Sequence, residues 1–160
     1  TITIKDNQSI GNNTDVEALA LLAPHAKRVL LLGGGGVARA AIVAMQSLGA
    51  TVLVATRNKE QSKNLAAEFS CEIASEKLHD IDTLINCTPV GMQGGNDPQG
   101  NPANELAPSL ELTPALLVID TVYNPVETPL IQRANDAGCT TVTGDQLFRL
   151  QATAQQKIWQ

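Results

Sequence analysis

The sequence predicts an α/β fold, doubly wound around a six-stranded parallel sheet. Three observations carry this. Short apolar runs alternate with helical segments along nearly the whole chain, the pattern of parallel strands joined by right-handed crossovers. Hydrophobic residues make up 43% of the chain and aromatic ones only 2%, so the core must be Ala, Val, Leu and Ile, as suits strands covered on both faces. A glycine run, Gly33 to Gly36, lies between a strongly apolar strand and an Ala-rich helix, the junction where such folds receive a ligand.

The elements follow in order. Residues 2 to 4 alternate as a strand, Asp6-Asn7-Gln8-Ser9 is turn chemistry, and Ile10 to Asn13 reads as a second short strand, which together make a hairpin. Thr14 or Asp15 is placed to cap a helix running to about Leu22, ended by Pro24. Arg28 to Leu32 is a buried strand and Gly33 to Gly36 a tight turn. Val37 to Leu48 has helical spacing, with Gly49 as its stop. Thr51 to Ala55 is a strand, Lys59 to Phe69 a helix with Leu65, Ala66 and Phe69 apolar, Cys71 to Ala74 a weak strand, and Asp82 to Cys87 a fourth. Gly91 to Pro108 is rich in Gly, Pro and Asn and too long for an idle connection, which points to a functional flap. Ala115 to Asp120 is a fifth strand, Thr128 to Ala137 a helix stopped by Gly138, and Thr140 to Val142 a sixth strand. Asp145 to Trp159 is a final helix with Leu147, Leu150, Ala154 and Ile158 on one stripe. Six such strands fit the order 3-2-1-4-5-6, with ligand at the switch point beside the first.

Composition excludes several classes. The net charge is −5 and the basic residues are scattered, which argues against a nucleic-acid partner while allowing a local spot for one phosphate. Cys71, Cys87 and Cys139 are odd in number and lack a CxxC spacing, so neither a disulfide framework nor a zinc site is expected, and they read as buried free thiols of a reducing cytoplasm. His25 and His79 stand apart from any acidic or thiol cluster and read as surface residues, so no metal is expected. No run approaches the roughly 20 apolar residues of a membrane span, and no signal peptide is visible. The opening at Thr1, without Met, reads as the start of a fragment.

The glycine loop carries specific chemistry. In Gly33-x-Gly35-x-x-Ala38 the first glycine permits the turn, the second lets a pyrophosphate approach the backbone, and the small Ala38 lets helix and strand pack closely. The helix N-terminus adds free N–H groups and partial positive charge. This is the fingerprint of an NAD(P)-binding Rossmann fold. At the end of the second strand of the unit an acid would accept hydrogen bonds from an NAD ribose. Here Ala55-Thr56-Arg57-Asn58-Lys59 holds no acid. Arg57 is suited to fork onto a 2′-phosphate, with Lys59 or Lys63 adding charge, so NADP is favoured.

Five segments then resemble one family. Gly11-Asn-Asn-Thr-Asp15 resembles the G-x-N-T-D signature of shikimate dehydrogenases, and Gly33 to Gly36 with Ala40 their glycine loop. Asn86-Cys-Thr-Pro-Val-Gly-Met92 is similar to their N-A-T-P-x-G-M segment. Asp120-Thr-Val-Tyr-Asn-Pro125 with Thr128-Pro-Leu130 is similar to their D-x-x-Y-x-P-x-x-T-P-L motif. Gly144, Gln151-Ala152 and Trp159 complete the set. The resemblance covers nearly the whole chain and implies an NADPH-dependent reduction of 3-dehydroshikimate to shikimate, in the route to aromatic amino acids.

Roles follow by the same resemblance. Asp15 matches a catalytic acid that shares proton transfer with a lysine of the family's first domain. Tyr123 and Gln151 match groups that hydrogen-bond the substrate, with Asn13 and Thr14 beside them. Gly33, Gly35, Gly36, Val37 and Ala38 would cradle the cofactor phosphates, and Thr56, Arg57 and Lys59 its adenosine end. Asn86, Thr88 and Pro89 would line its path, and Val122, Gly144 and Leu147 its nicotinamide end. Four positions depart from the family's pattern: Thr56 stands for the usual Asn, Gln61 where some members carry a second base, and Leu147-Phe148 for a common Met-Leu pair. Residues 1–20 are expected to be the remnant of a substrate-binding domain and its linker, and residues 21–160 the NADP-binding domain. The missing domain would supply the lysine, so the chain alone is expected to bind cofactor without turnover. Its exposed hairpin edge invites a second chain, the basis for expecting a homodimer. Two alternatives stay open: a quinate/shikimate dehydrogenase using NAD, and a non-catalytic regulator that senses the metabolite on the same scaffold.

Overall fold

The computed structural model describes residues 1–160 apart from the side chain of Lys5. The chain opens with a two-stranded antiparallel hairpin, β1 (Ile2–Lys5) and β2 (Gln8–Gly11). Its turn is tighter than the composition suggests. Asp6 and Asn7 adopt φ of 51° and 60°, the pair of left-handed residues that matches a two-residue turn to the twist of its strands. The second strand therefore begins at Gln8, not Ile10. Helix α1 (Thr14–Leu22) follows, capped by Asn13, whose side chain accepts the Asp15 amide at 3.1 Å. The cap is the residue before the expected Thr14 or Asp15, because Asn13 is the one that holds an extended backbone.

The main sheet is built from β3 (Arg28–Leu32), β4 (Thr51–Ala55), β5 (Glu72–Ile73), β6 (Thr83–Asn86), β7 (Leu117–Asp120) and β8 (Thr140–Val142). Their order is β5-β4-β3-β6-β7-β8 and every pairing is parallel, the 3-2-1-4-5-6 arrangement expected from the sequence. The crossovers are α2 (Gly36–Ser47), α3 (Lys59–Phe69), α4 (Pro102–Leu106) and α5 (Pro129–Asp136), and α6 (Gly144–Trp159) closes the chain.

Strand side chains alternate between two cores, and this makes the apolar runs continuous. Val29 and Leu31 of β3, with Val52, Val54, Ile85 and Ile119, bury against α1, α2, α3 and α6. Leu30 and Leu32, with Leu53, Leu84 and Val118, bury on the other face against α4 and α5. The α6 stripe behaves as its spacing predicts at Leu147 and Ala154, which are buried.

Two boundaries differ from expectation for local reasons. Strand β7 begins at Leu117 because Leu116 N–H is turned to the Thr113 carbonyl at 2.9 Å. The Gly91–Pro108 segment is not irregular throughout. It contains α4, capped by Asn101 with Pro102 in the first turn, and Ala103 and Ala107 are buried in the second core. Met92, Ala103, Leu106 and Ala107 among many polar residues give no periodic signal. A Leu31→Ala exchange removes a fully buried side chain and is expected to lower the unfolding free energy by about 3 kcal/mol, read as a lower urea midpoint with an unchanged slope.

Candidate functional site

The carboxyl ends of β3, β4, β6 and β7 meet at one edge of the sheet, and three adjoining depressions run along it. The first, about 280 Å³, is bounded by the Gly33 to Gly35 turn, Arg57, Thr88 and Pro89. The second, about 350 Å³, takes in Thr88, Pro89, Val122 and Tyr123. The third, about 230 Å³, is lined by Asp15, Val37, Tyr123, Gly144, Leu147 and Gln151. Shared walls make them one groove leading from Arg57 to Asp15. Most of the residues singled out in the sequence lie along it.

The glycines divide into two kinds. Gly33 has φ of 105°, and a Cβ there would lie 2.8 Å from the Cys87 carbonyl oxygen. Gly144 would drive a Cβ into the Val122 carbonyl, because the start of α6 abuts the end of β7. Both are required by the fold. Gly35 and Gly36 are exposed, have no positive φ, and face open space where a Cβ would stand. Nothing within the described chain demands glycine at either. Ala38 is fully buried, which lets α2 press onto the sheet.

At the end of β4, Arg57 is exposed and has no ion-pair partner among the described residues, whereas Arg28, Arg39, Lys63 and Arg149 each hold a carboxylate. No acidic side chain lines its depression. Thr56 turns its hydroxyl inward, donating to the Asn58 carbonyl at 2.6 Å and sharing a hydrogen bond with the buried Ser62. Lys59 does not line the depression that holds Arg57: it lines an adjoining one with Ser62, Lys63 and Glu105, across Thr56.

At the far end, Asn13 spends its side-chain oxygen on the α1 cap, so Asp15 is free of that duty. Thr14 is buried and donates its hydroxyl to Gln151 Oε1 at 3.2 Å, which leaves the Gln151 amide as a donor toward the groove. Tyr123 is 60% exposed, hence not a core aromatic, and its ring lies 5.7 Å from that of Phe148.

Beneath the groove sits a buried polar network around Asp120 and Thr128, two motif residues that sequence reasoning left without a role. Asp120 Oδ1 accepts from Asn86 Nδ2 at 2.9 Å and from Val122 N–H at 3.0 Å, and Oδ2 from the Thr128 hydroxyl at 2.6 Å. Asn86 Oδ1 in turn accepts from the amide and hydroxyl of Thr88. Asn86 is fully buried: its side chain faces inward and shapes the turn that carries Thr88, instead of lining the groove itself. Burial raises the Asp120 pKa above the usual carboxylate value against the opposing effect of its three donors. Burial, helped by the neighbouring Asp120 charge, pushes the Cys87 thiol far above its ordinary range, which keeps it a poor nucleophile.

A doubly wound parallel sheet with an open glycine turn at its switch point defines a domain of the NAD(P)-binding Rossmann class. Residues 17–92 match the family described as shikimate / quinate 5-dehydrogenase. A Maridesulfovibrio salexigens protein named shikimate dehydrogenase (NADP(+)) is 35% identical over 94% of this chain and 56% of its own length. The Thermus thermophilus shikimate 5-dehydrogenase solved with NADP(H) and shikimate superposes with a TM-score of 0.82 at 25% identity, over 99% of this chain and 60% of that one. The ligand-free 5-ketofructose reductase of Gluconobacter gives the same TM-score, 0.82, at 28% identity, over 99% of this chain and 61% of that one. The chain is similar to members of the shikimate/quinate dehydrogenase family, and it spans less than two thirds of these relatives.

The raised pKa of Asp120 has a measurable consequence. The folded state holds this proton more tightly than the unfolded chain, so the group adds stability as pH falls from the raised folded value toward the unfolded value of about 3.9. Asp120→Asn keeps the acceptor for Asn86 and Val122 and offers an amide to Thr128 Oγ1, but does not titrate. The unfolding free energy of the wild type minus that of the variant is expected to grow between about pH 7 and about pH 4. Parallel curves in urea titrations would show that Asp120 titrates normally.

Proposed function

We propose that this chain is the cofactor-binding part of an NADPH-dependent shikimate dehydrogenase, an oxidoreductase that interconverts 3-dehydroshikimate and shikimate. The observation that carries the reading is the pairing of two unclaimed features at the start of the groove: glycines 35 and 36, which the fold itself does not require, and the free Arg57 on a rim without carboxylates, in a chain of net charge −5. An anion with a pyrophosphate and a 2′-phosphate fits both. The turn before α2 would hold the pyrophosphate on backbone N–H groups, and Arg57 would fork onto the 2′-phosphate. Thr88 and Pro89 would wall the middle of the groove, with Val122, Gly144 and Leu147 at the nicotinamide end. When bound, the nicotinamide supplies the hydride chemistry.

The chain's own residues do the rest. Tyr123 and Gln151 would orient the substrate through their hydroxyl and amide, the latter held by Thr14. Asp15 would manage the proton at the reacting substrate oxygen together with a lysine of the family's first domain. Residues 1–20 would form the connection to that domain, so the 160 residues alone would bind cofactor without turning over substrate.

A second reading, a quinate/shikimate dehydrogenase that uses NAD, has one observation in its favour. Lys59 lines the adjoining depression, and Gln61 is bonded to the Gly34 carbonyl, so Arg57 is the one charged side chain among the described residues that lines this depression. The readings separate by calorimetry. NADPH is expected to bind more tightly than NADH, and Arg57→Ala to weaken NADPH on the order of 10- to 100-fold, the worth of a lost charge-assisted contact, with NADH little changed. A preference for NADH in the wild type would support the NAD reading. In the full-length protein, Asp15→Asn is expected to lower kcat by about 100-fold or more while leaving the dissociation constant for NADPH within about twofold; unchanged turnover would remove Asp15 from the chemistry.

A further inference from the structure

The glycine turn is held from below by two side chains whose role its sequence pattern does not state. Arg39, in the first turn of α2, donates its Nη1 to the Gly34 carbonyl at 3.1 Å. Gln61, in α3, donates its Nε2 to the same oxygen, also at 3.1 Å. Arg39 is itself held by Glu68, its Nη2 lying 3.0 Å from Oε2. A Cβ on Gly34 would lie 2.8 Å from Gln61 Nε2, so only glycine at 34 lets the carboxamide close against the turn. One backbone oxygen thus receives two donors, from two different helices.

A trans peptide points its C=O and N–H in opposite directions. Fixing the Gly34 carbonyl toward Arg39 and Gln61 therefore fixes the Gly35 N–H away from them, toward the open side of the turn. That N–H has no acceptor among the described residues, and Gly35 stands exposed with nothing within 4 Å of its Cβ position. A glycine-rich turn left to itself would spread this peptide over several orientations. The two donors remove that freedom before any ligand arrives.

We infer that Arg39 and Gln61 are positioning residues that preset the Gly35 amide to receive the pyrophosphate of a dinucleotide, Gln61 acting through the loop and not on the 2′-phosphate. This rests on the dinucleotide reading proposed above. Preorganised donors raise affinity by sparing the ordering that binding would otherwise require, and the gain is common to every ligand with a pyrophosphate. It differs in this from the Arg57 contact, which only a 2′-phosphate senses.

The test compares the wild type, the double variant Arg39→Leu/Gln61→Leu, and Arg57→Ala, with NADPH, NADH and 2′-AMP as probes in calorimetry. The double variant is expected to lose about tenfold in affinity for NADPH and for NADH by the same factor, and to bind 2′-AMP, which has no pyrophosphate, as the wild type does. Gln61→Arg, which keeps a donor for the Gly34 carbonyl, is expected to retain NADH affinity. In the ligand-free proteins, the ¹⁵N order parameter of Gly35 is expected to fall from the rigid range near roughly 0.85 toward about 0.6 in the double variant. Equal affinities of wild type and double variant for both dinucleotides would overturn the positioning role, as would a parallel loss of 2′-AMP binding, the mark of a general loosening. Failure of the wild type to bind either dinucleotide would instead sink the proposed function, and the order parameter would still report on the clamp.

Discussion

Asp120 closes β7 with its carboxylate out of contact with water, and the donors gathered around it set what stands above the sheet. Asn86 reaches it from β6, the Val122 amide from the chain leaving β7, and the Thr128 hydroxyl from the cap of α5. A buried carboxylate without such donors would be costly by several kcal/mol. With them it ties two strands and a helix start to one point. Through Asn86 it shapes the Thr88 turn, and through Val122 it fixes the carbonyl against which Gly144 packs. The walls of the groove descend from this one network.

The groove itself is mostly backbone. Parallel strands end in register at one edge, so their following loops meet there, and the order of the strands parts them beside β3. Small residues occupy the points of closest approach. Gly33 and Gly144 are small because protein atoms lie against them; Gly35 and Gly36 are small with only open space beside them. That contrast separates glycine that the fold requires from glycine that it does not, a distinction invisible in a run of four identical letters.

The scaffold fixes the arrangement of strands more firmly than the ligand. The same superposition score of 0.82 is reached with a shikimate 5-dehydrogenase and with a 5-ketofructose reductase. One fold thus occurs in proteins named for different substrates, as expected where chemistry is grafted onto a shared fold. In this chain the far end of the groove offers Asp15, Tyr123 and Gln151 in one open depression, and the chain covers only part of the length of those relatives.

By itself the sequence determined the strand order, the glycine turn and the absence of an acid at the end of β4, because each depends on local pattern: apolar runs, a glycine-rich turn and one basic residue at a strand end. The motifs also singled out Asp15, Arg57, Thr88, Tyr123, Gly144 and Gln151, which the fold brings to the groove. What only the tertiary structure decided were relations between residues far apart in the chain. Asn86 turns inward because Asp120, 34 residues later, needs a donor. Gln61 faces the Gly34 carbonyl, 27 residues earlier, while Lys59, two positions before it, lines another depression. Helix α4 forms inside a Gly- and Pro-rich segment because Ala103 and Ala107 find a core to bury in. A side chain's direction depends on partners brought together by packing, and no window of local sequence contains them.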